Sequence, residues 1–310
     1  QGAETVTDLL TQMEGKIVAA QEENVDRDKI QTDINALRDQ IAAVVGAAQF
    51  NGLNLLSNRE STEGTGSTNV LASLDRSADG VSASDINVAK KDLSTETSAI
   101  SATGGTFTAD VGTSAVTLNG TQSGSIDIGT DNSTFVAGTA YALNVFGTDA
   151  NASNFTQADY RTSTAAASNQ AEAAANEIRY VARDGDTATE VAAGLASAYA
   201  AFAGANGLDT DVLNITATGD TLNISSTVTD ATDSIQVNLV SVSTDAGNTI
   251  GGGLEQLAAI DVTTDAGVDS ALASMEGLLQ TAIDSASSFG SVQGRISTQS
   301  EFISGLTDSL

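Results

Sequence analysis

The residues from about Thr264 to Leu310 carry an apolar side chain at every third or fourth position. Steps of four and three alternate through thirteen positions, and ten of these are apolar, the pattern of a helix that packs lengthwise on partners. About 46 residues, rising about 1.5 Å each, give a helix of about 70 Å that needs other helices along its side. The predicted positions are Val268, Leu272, Met275, Leu279, Ala282, Ala286, Phe289, Gln293, Ile296, Ser300, Ile303, Thr307 and Leu310.

The first 48 residues repeat this stepping in two shorter segments. Together these predicted helices, of about 18 and about 21 residues, nearly match the length of the carboxyl-terminal helix. We therefore expect an elongated antiparallel helical bundle or coiled coil in which both ends of the chain meet. The stepping runs through Val6, Leu10, Met13, Ile17 and Ala20, and then through Ile30, Ile34, Leu37, Ile41, Val44 and Ala48.

Glycines interrupt the long predicted helix at four positions, where each costs about 1 kcal/mol relative to Ala. Gly290 and Gly294 lie one turn apart, and Gly277 and Gly305 lie on either side of them. Either another backbone approaches Gly290 and Gly294 closely, or a long helix tolerates them. The spacing leaves both interpretations open.

Between the helical ends, Thr, Ser, Asn, Asp and Gly separate short apolar runs, a pattern typical of strands and turns. Residues 213–224 alternate at period two around Thr218-Gly-Asp220, which predicts a hairpin. Two Ala-rich segments predict short helices, and Gly251-Gly-Gly253 reads as a flexible hinge before the last helix. The predicted strands are 111–118, 141–146, 212–217, 221–226 and 234–242, and the predicted helices are 165–181 and 187–203.

These patterns predict an α+β fold of two or three domains. Residues 1–57 and 257–310 form an inner helical domain. Residues 58–256 form an inserted, β-rich outer domain with short helices, which divides into two subdomains if Gly104-Gly105 is a boundary.

The amino-acid composition excludes several classes of function. Lys and Arg number 12 against 40 Asp and Glu, a net charge of −28, so nucleic acid would be repelled. The chain has no His, Cys, Pro or Trp, which removes the imidazole bases and thiol nucleophiles on which many enzymes depend. No stretch approaches about 20 apolar residues, so no membrane span is predicted. We expect no enzyme activity and no cofactor.

Because the chain begins at Gln1 without a leader, we also expect a processed product or a fragment.

The many carboxylates raise two further possibilities, a glycosidase site and a calcium site. A pair flanking a sugar bond would make a glycosidase, but the acidic residues are spread along the chain, as on a solvated surface. Three Asp-rich loops supply hard oxygen ligands of the kind calcium prefers. None matches the twelve-residue calcium loop, and turn-forming Asp and Asn explain them better, so we predict no metal site. The loops are Asp127 to Asn132, Asp149 to Asn154 and Asp184-Gly-Asp186.

Four stretches on the two predicted helical arms resemble bacterial flagellins, and they occur in the same order as in that family. The segment Gln49-Phe-Asn-Gly-Leu-Asn-Leu-Leu56 resembles the phenylalanine-asparagine-glycine turn that follows the family's second inner helix. Leu10 to Val18 is similar to the end of its long amino-terminal helix. Ile260 to Gly267 is similar to the start of its carboxyl-terminal helix, and Phe289 to Arg295 to a later part of it. The resemblance covers about 110 residues.

The resemblance implies a structural subunit of the bacterial flagellar filament, which self-assembles for motility and is secreted to the cell exterior. It implies as partners other flagellin subunits, the hook-associated and cap proteins and an export chaperone. It also implies that this chain lacks the family's terminal polymerisation helices. The expected core and assembly residues are Leu10, Met13, Ile17, Ile34, Leu37, Ile41, Phe50, Asn51, Gly52, Leu272, Leu279, Phe289 and Arg295.

Two rival functions remain at this point. A hook-filament junction protein is built from similar terminal helices, although the phenylalanine-asparagine-glycine turn favours flagellin. A cell-surface glycan-binding flagellin homologue, or adhesin, would need a bridging cation to hold an acidic polysaccharide, because the chain itself is strongly acidic. An enzyme is a third and weaker hypothesis.

Overall fold

The computed structural model combines helices from both ends of the chain with antiparallel sheets between them. It describes residues 1–50, 52–77, 80–109, 111, 115–119, 122–129, 135–165, 169–227, 230 and 232–309. The helices are α1 (Gly2–Ala19), α2 (Arg27–Ala47), α3 (Gln170–Ala175), α4 (Ala188–Ala205) and α5 (Asp265–Ser309). Short 3-10 helices span Thr244–Ala246 and Glu255–Ala259.

Helix α1 packs against both α2 and α5, so the two ends of the chain share one apolar core. The α2 helix begins where the Asp26 side chain accepts a hydrogen bond from the Lys29 backbone N–H at 3.1 Å, a helix cap that satisfies a terminal donor. The apolar stripes of the three helices all contribute to this core, with α1 between α2 and α5. The buried residues of α1 and α2 are Ala3, Val6, Leu9, Leu10, Met13, Ile17, Ile34, Leu37, Ile41 and Val45.

The buried positions of α5 differ from the predicted stepping at every second step. Val268, Met275 and Ala282 are buried as predicted, but Ala271 and Leu278 are the fully buried residues between them. Leu272 and Leu279 are partly buried and pack beside the core. The reason is that apolar residues stand in adjacent pairs here, so steps of three then four fit the sequence as well as steps of four then three.

The central sheet is built on a long antiparallel pair. Strand β8 (Ala140–Thr148) pairs along its whole length with β12 (Ser234–Val242), from Thr148 opposite Ser234 to Ala140 opposite Val242. Strand β9 (Arg179–Val181) extends this sheet beside β8, while β5 (Phe107–Thr108) and β6 (Val116–Leu118) pair with β12.

A second sheet has the order β10 (Asn214–Thr218), β11 (Thr221–Ser226) and β7 (Gln122–Asp127). The predicted hairpin is its β10–β11 loop, where Gly219 has φ +60°, the conformation that a two-residue hairpin loop with Gly first requires. Helix α4 packs against strands of both sheets and closes a shared core around Leu143, Leu195 and Ile224.

Two small hairpins lie near the helices. Strands β1 (Gln49–Phe50) and β2 (Leu53–Asn54) flank a two-residue loop. Strands β3 (Ser67–Ser77) and β4 (Gly80–Ala89) form a longer hairpin that the sequence patterns did not predict. A register shift falls between Leu71 and Ser73, and β3 packs on α5.

Two local predictions are wrong. The helix predicted over 165–181 is only α3, because Asn176 turns the chain: its amide donates to the Leu143 carbonyl at 2.9 Å and its oxygen accepts from the Ile178 N–H. The chain then continues as strand β9. Part of the predicted helix, residues 166–168, lies outside the described residues.

The predicted hinge at Gly251-Gly-Gly253 is instead a close contact between two chain segments. A Cβ at Gly252 would collide with the Ser94 carbonyl, and one at Gly253 with the Asp92 carbonyl. Residues 94–99 and 249–254 run side by side, and Ala99 and Thr249 exchange two backbone hydrogen bonds of 3.0 and 2.8 Å. The glycines are therefore required for packing and not for freedom of movement.

Among the described residues, no helix combines the length and the apolar character needed to cross a membrane.

Candidate assembly site

The predicted core residues of α1 and α2 lie together in one buried cluster. Leu10, Met13, Ile17 and Ile41 are fully enclosed, and Ile34 and Leu37 are at most 9 % exposed. Burying a side chain of this size contributes about 1.5–3 kcal/mol relative to exposure. On α5, Leu272, Leu279 and Phe289 are partly buried against the same cluster, whereas Arg295 is exposed beyond it.

The turn after α2 is a tight hairpin. Phe50 pairs through its backbone with Leu53, and Gly52 takes φ +79°, a conformation that favours glycine. Asn51 lies outside the described residues, and of Phe50 only the backbone is described. Leu53 and Leu55, which follow the turn, line an apolar groove of about 490 Å³ together with Val70, Phe289 and Ile296.

Asn54 fixes this turn to the end of α2, a role that the sequence patterns did not reveal. Its amide donates to the Val45 carbonyl at 2.7 Å, and its oxygen accepts from the Leu56 N–H at 2.8 Å. It thereby satisfies a terminal carbonyl of α2. Leu56 is buried, and a Cβ at Gly2 would lie 2.9 Å from its Cδ1. The turn is thus held between the start of α1 and the end of α2.

At the opposite end of the helices, Arg27 connects three elements. Its Nε donates to the Ala20 carbonyl at 3.0 Å, beside the end of α1, and its Nη2 lies 2.6 Å from Asp265 Oδ1 at the start of α5. Gln31, one turn along α2, donates to the Ile260 carbonyl at 3.1 Å and accepts from the Val262 N–H at 2.8 Å. No periodicity marks either residue, since both roles depend on tertiary placement.

A surface ion pair crosses from α1 to α2. Lys16 Nζ lies 2.6 Å from Asp33 Oδ2, and both side chains are a little under half exposed. The hydrogen bond and the charge of Lys16 lower the pKa of Asp33. Exposed pairs of this kind contribute little to stability, so the apolar cluster is what holds the helices together.

Carboxylates line a cavity where the helices meet the sheets, and each of three is engaged by neighbouring groups. Asp186 accepts from the Tyr180 hydroxyl at 2.7 Å, and its burial raises its pKa. Against the effect of burial, hydrogen bonds from Thr187 lower the pKa of Glu190. Asp92 accepts from the Asn58 N–H at 2.7 Å and the Gly253 N–H at 3.1 Å. These carboxylates therefore serve as hydrogen-bond acceptors, and Asp92 joins separate segments of the chain.

The Asp149 loop shows why turn chemistry explains the Asp-rich segments. Asp149 is 3 % exposed and accepts from the backbone N–H groups of Ser153, Asn154 and Phe155 at 3.1, 2.8 and 3.0 Å. Its oxygens are thus turned to its own loop. The described residues contain no group of three or more acidic side chains placed to hold a metal ion; part of the loop from Asp127 to Asn132 lies outside them.

We expect the Asp149 loop to lose order in acid. Against the effect of burial, the N–H groups of Phe155, Asn154, Ser153 and Ala152 hold the pKa of Asp149 below its usual range. A lowered pKa means that this stabilisation is present above the unfolded-state pKa of about 4 and is lost as pH falls through the folded-state value. Protection of the Ser153–Phe155 amides from hydrogen exchange, measured by NMR from pH 6 to pH 2, should fall in that window.

Asp149→Asn is the matched variant, because it keeps the shape but leaves one accepting oxygen in place of two. It should lower the same protection factors already at pH 6 and remove their acid transition. Equal protection in both proteins across this range would contradict the role given to the carboxylate.

Comparison with known proteins finds similarity to bacterial flagellins over part of the chain. Residues 1–61 match the family model described as the bacterial flagellin N-terminal helical region. Flagellin C of Rhizobium meliloti (strain 1021) is 40 % identical over 77 residues, which are 25 % of this chain and 24 % of that protein. The chain spans about a quarter to a third of the length of the curated relatives it matches.

Two solved structures are similar over most of the chain but at low scores. FliC from Burkholderia pseudomallei is 14 % identical with a TM-score of 0.37, covering 95 % of each chain. FlgL from Xanthomonas campestris is 11 % identical with a TM-score of 0.36, covering 99 % of this chain and 89 % of that one. These scores do not separate one function from another. The family-model match shows that residues 1–61 are similar to the amino-terminal helical region of bacterial flagellins.

Proposed function

We propose that this chain is the core of a flagellin, a structural subunit that self-assembles into the flagellar filament for motility. One observation carries the proposal: α1, which lies in the flagellin-like region, packs along α5 from the other end of the chain. The same arrangement makes residues 1–57 and 257–310 one inner domain in this proposal and residues 58–256 an outer domain.

In this role the helices supply stiffness, and the sheets face water. Pro, which would kink a helix, is absent from the sequence, so α5 can run for 45 residues. Because the apolar stripes of α1 and α2 are used inside the chain, contacts between subunits come from the remaining helix faces and from the Phe50–Leu56 turn. The acidic surface keeps the exported chain soluble.

The proposal includes the partners and the location that follow from a filament subunit. The chain passes through the flagellar secretion channel with an export chaperone, and then contacts other flagellin subunits and the hook-associated and cap proteins. It resides outside the cell. No reaction and no cofactor form part of this role.

Seeded assembly tests the filament role. The chain is fused to the amino- and carboxyl-terminal segments of Flagellin C of Rhizobium meliloti and is added to short filament fragments of that protein. Growth of the fragments, followed by light scattering and electron microscopy, is the expected result. Flagellin C itself is the positive control. A fusion that leaves the fragments unchanged, under conditions where Flagellin C extends them, would overturn the filament role.

The two alternative functions, junction protein and adhesin, predict different experimental results. A junction protein would bind the ends of the fragments and stop their growth, because such a protein does not polymerise extensively. An adhesin would bind glycans, so the chain is titrated with neutral and acidic glycans with and without calcium. Saturable, calcium-dependent binding would replace the filament proposal with the adhesin.

A further inference from the structure

The helices and the sheets meet at one buried joint, formed by residues 92–98, 183–186 and 250–256. The outgoing and returning segments of the chain pair there, since the Gly252 N–H donates to the Glu96 carbonyl at 2.8 Å and the Leu254 N–H to the Ser94 carbonyl at 3.0 Å. The third segment, 183–186, is the loop between β9 and α4, and it reaches the joint from the sheet side.

Arg183 is the side chain of that loop that enters the joint. Its Nη2 donates to the Gly251 carbonyl at 2.8 Å, and its Nη1 donates to the Tyr180 hydroxyl at 2.7 Å. Its Nε lies 3.9 Å from Asp92 Oδ2, and the Arg183 side chain is only 14 % exposed. One guanidinium therefore contacts both segments by which the chain leaves and re-enters the helical region.

Asp92 faces Arg183 and is more deeply buried, with 3 % of its side chain exposed. Its Oδ2 accepts from the Asn58 N–H at 2.7 Å, and its Oδ1 accepts from the N–H groups of Ser94 and Gly253 at 2.9 and 3.1 Å. The Asp92 carboxylate thus accepts hydrogen bonds from three chain segments on the helical side. The Arg183 loop adds two bonds of its own, from Asn58 Nδ2 to the Asp184 carbonyl at 3.0 Å and from the Gly66 N–H to Asp184 Oδ2 at 2.7 Å.

Removing Arg183 would leave the Asp92 carboxylate buried without the guanidinium that faces it, so the arrangement that keeps the two together is favoured. We propose that Arg183 and Asp92 form a latch that fixes the orientation of the sheets on the helices. Without the latch, the sheets keep their own cores but sample a range of orientations. The latch does not depend on the filament role, and it would act in the isolated chain.

Helix α4 also packs against α5, and side-chain hydrogen bonds cross the joint as well. Gln256 Nε2 donates to Ser197 Oγ at 2.7 Å, and Arg179 Nε donates to the Ser98 carbonyl at 3.2 Å. Helix α4 approaches α5 where a Cβ at Gly204 would lie 2.5 Å from Ser270 Oγ. None of these places a charge in a buried site opposite another charge, so they position the sheets less strictly.

The latch is tested by measuring a distance across the joint. The chain has no Cys, so Ser287→Cys on α5 and Thr216→Cys on β10, both exposed, accept two spin labels for pulsed electron paramagnetic resonance. The otherwise unchanged chain should give one narrow distance distribution. Arg183→Met, which keeps length but removes the charge, should widen it at least two-fold.

Arg161→Met is the matched control. Arg161 also contacts a backbone carbonyl, that of Gly147 at 2.7 Å, and lies 4.2 Å over the Phe146 ring, but it stays within the sheet region. Its removal should leave the distribution narrow. A distribution for Arg183→Met as narrow as that of the control would overturn the latch.

Hydrogen exchange separates a released latch from general destabilisation. Arg183→Met should speed exchange of the Leu93, Gly252 and Leu254 amides at least ten-fold, while α1 amides change less than two-fold. Equal acceleration throughout the chain would also overturn the latch, because the residue would then serve overall stability alone. Should Arg183→Met fail to fold, Arg183→Lys takes its place: it keeps the charge but lacks the planar fork that reaches Gly251 and Tyr180 together. It should give a distribution wider than that of the otherwise unchanged chain, and an equal width would overturn the latch.

Discussion

Leu278→Asp should cost at least about 4 kcal/mol of unfolding free energy and remove most cooperative melting of the helices. Leu278 is 3 % exposed and lies in the core shared by α1, α2 and α5. The substitution both removes a buried leucine and places a carboxylate in this apolar core. Urea unfolding followed by far-UV circular dichroism measures the change.

Leu279→Asp is its neighbouring control. Leu279 is only partly buried, so a carboxylate there reaches water and should cost less than about half as much. The sequence pattern alone predicted Leu279 as the seam residue, and the two variants therefore decide between the alternative steppings of α5. A larger loss for Leu279→Asp would restore the predicted stepping and contradict the structure.

Gly252→Ala should destabilise the chain by about 3 kcal/mol, near the upper end of what overpacking usually costs. The added Cβ would collide with the Ser94 carbonyl, which is backbone and cannot rotate away. Relief requires the two paired segments to separate, with loss of the 2.8 Å bond from the Gly252 N–H to the Glu96 carbonyl. Thermal unfolding, with hydrogen exchange at the Leu254 amide, measures the effect.

Gly277→Ala is expected to act in the opposite direction. Gly277 lies in α5, and nothing stands within 4 Å of a Cβ placed there, so the change should stabilise the chain by about 0.5–1 kcal/mol through helix propensity. If both substitutions shifted the melting temperature in the same direction, the close contact at Gly252 would not be the cause of its effect.

Periodicity was sufficient to locate the longest elements. The stepping of apolar residues in α1, α2 and α5 reflects burial along one face, which is a local property of the sequence. Strands β11 and β12 lie within the bounds that their composition predicts, 221–226 and 234–242. The choice between Leu278 and Leu279 lay beyond this reasoning, because adjacent leucines satisfy both steppings and only the position of the partner helices decides.

The other misses share a cause in tertiary contact. Strands β3 and β4 pair mainly with each other, and their polar sequence gives little alternation to detect. Asn176 ends α3 through a bond to a carbonyl in β8, more than thirty residues away. Similarly, three consecutive glycines by themselves predict a flexible hinge. Only a second backbone segment packed against them shows that they permit a close contact instead.

The residues of the candidate site fall into the same two groups, those that periodicity predicts and those that only tertiary contacts reveal. The buried residues Leu10, Met13 and Ile17 stand in the predicted stripe, whereas the side chains that fix the ends of the helices do not. Gln31 and Asn54 act by reaching backbone groups of other segments. Their residue type is compatible with many surroundings, so no sequence spacing distinguishes them from solvent-exposed amides.

The paired bonds between Ala99 and Thr249 carry a consequence for how such a chain diversifies. The part of the chain between these two residues therefore begins and ends at neighbouring positions. Such a block can be exchanged for an unrelated domain of similar end-to-end spacing without lengthening the route of the backbone. We expect such an exchange to leave the helical ends of the chain unchanged.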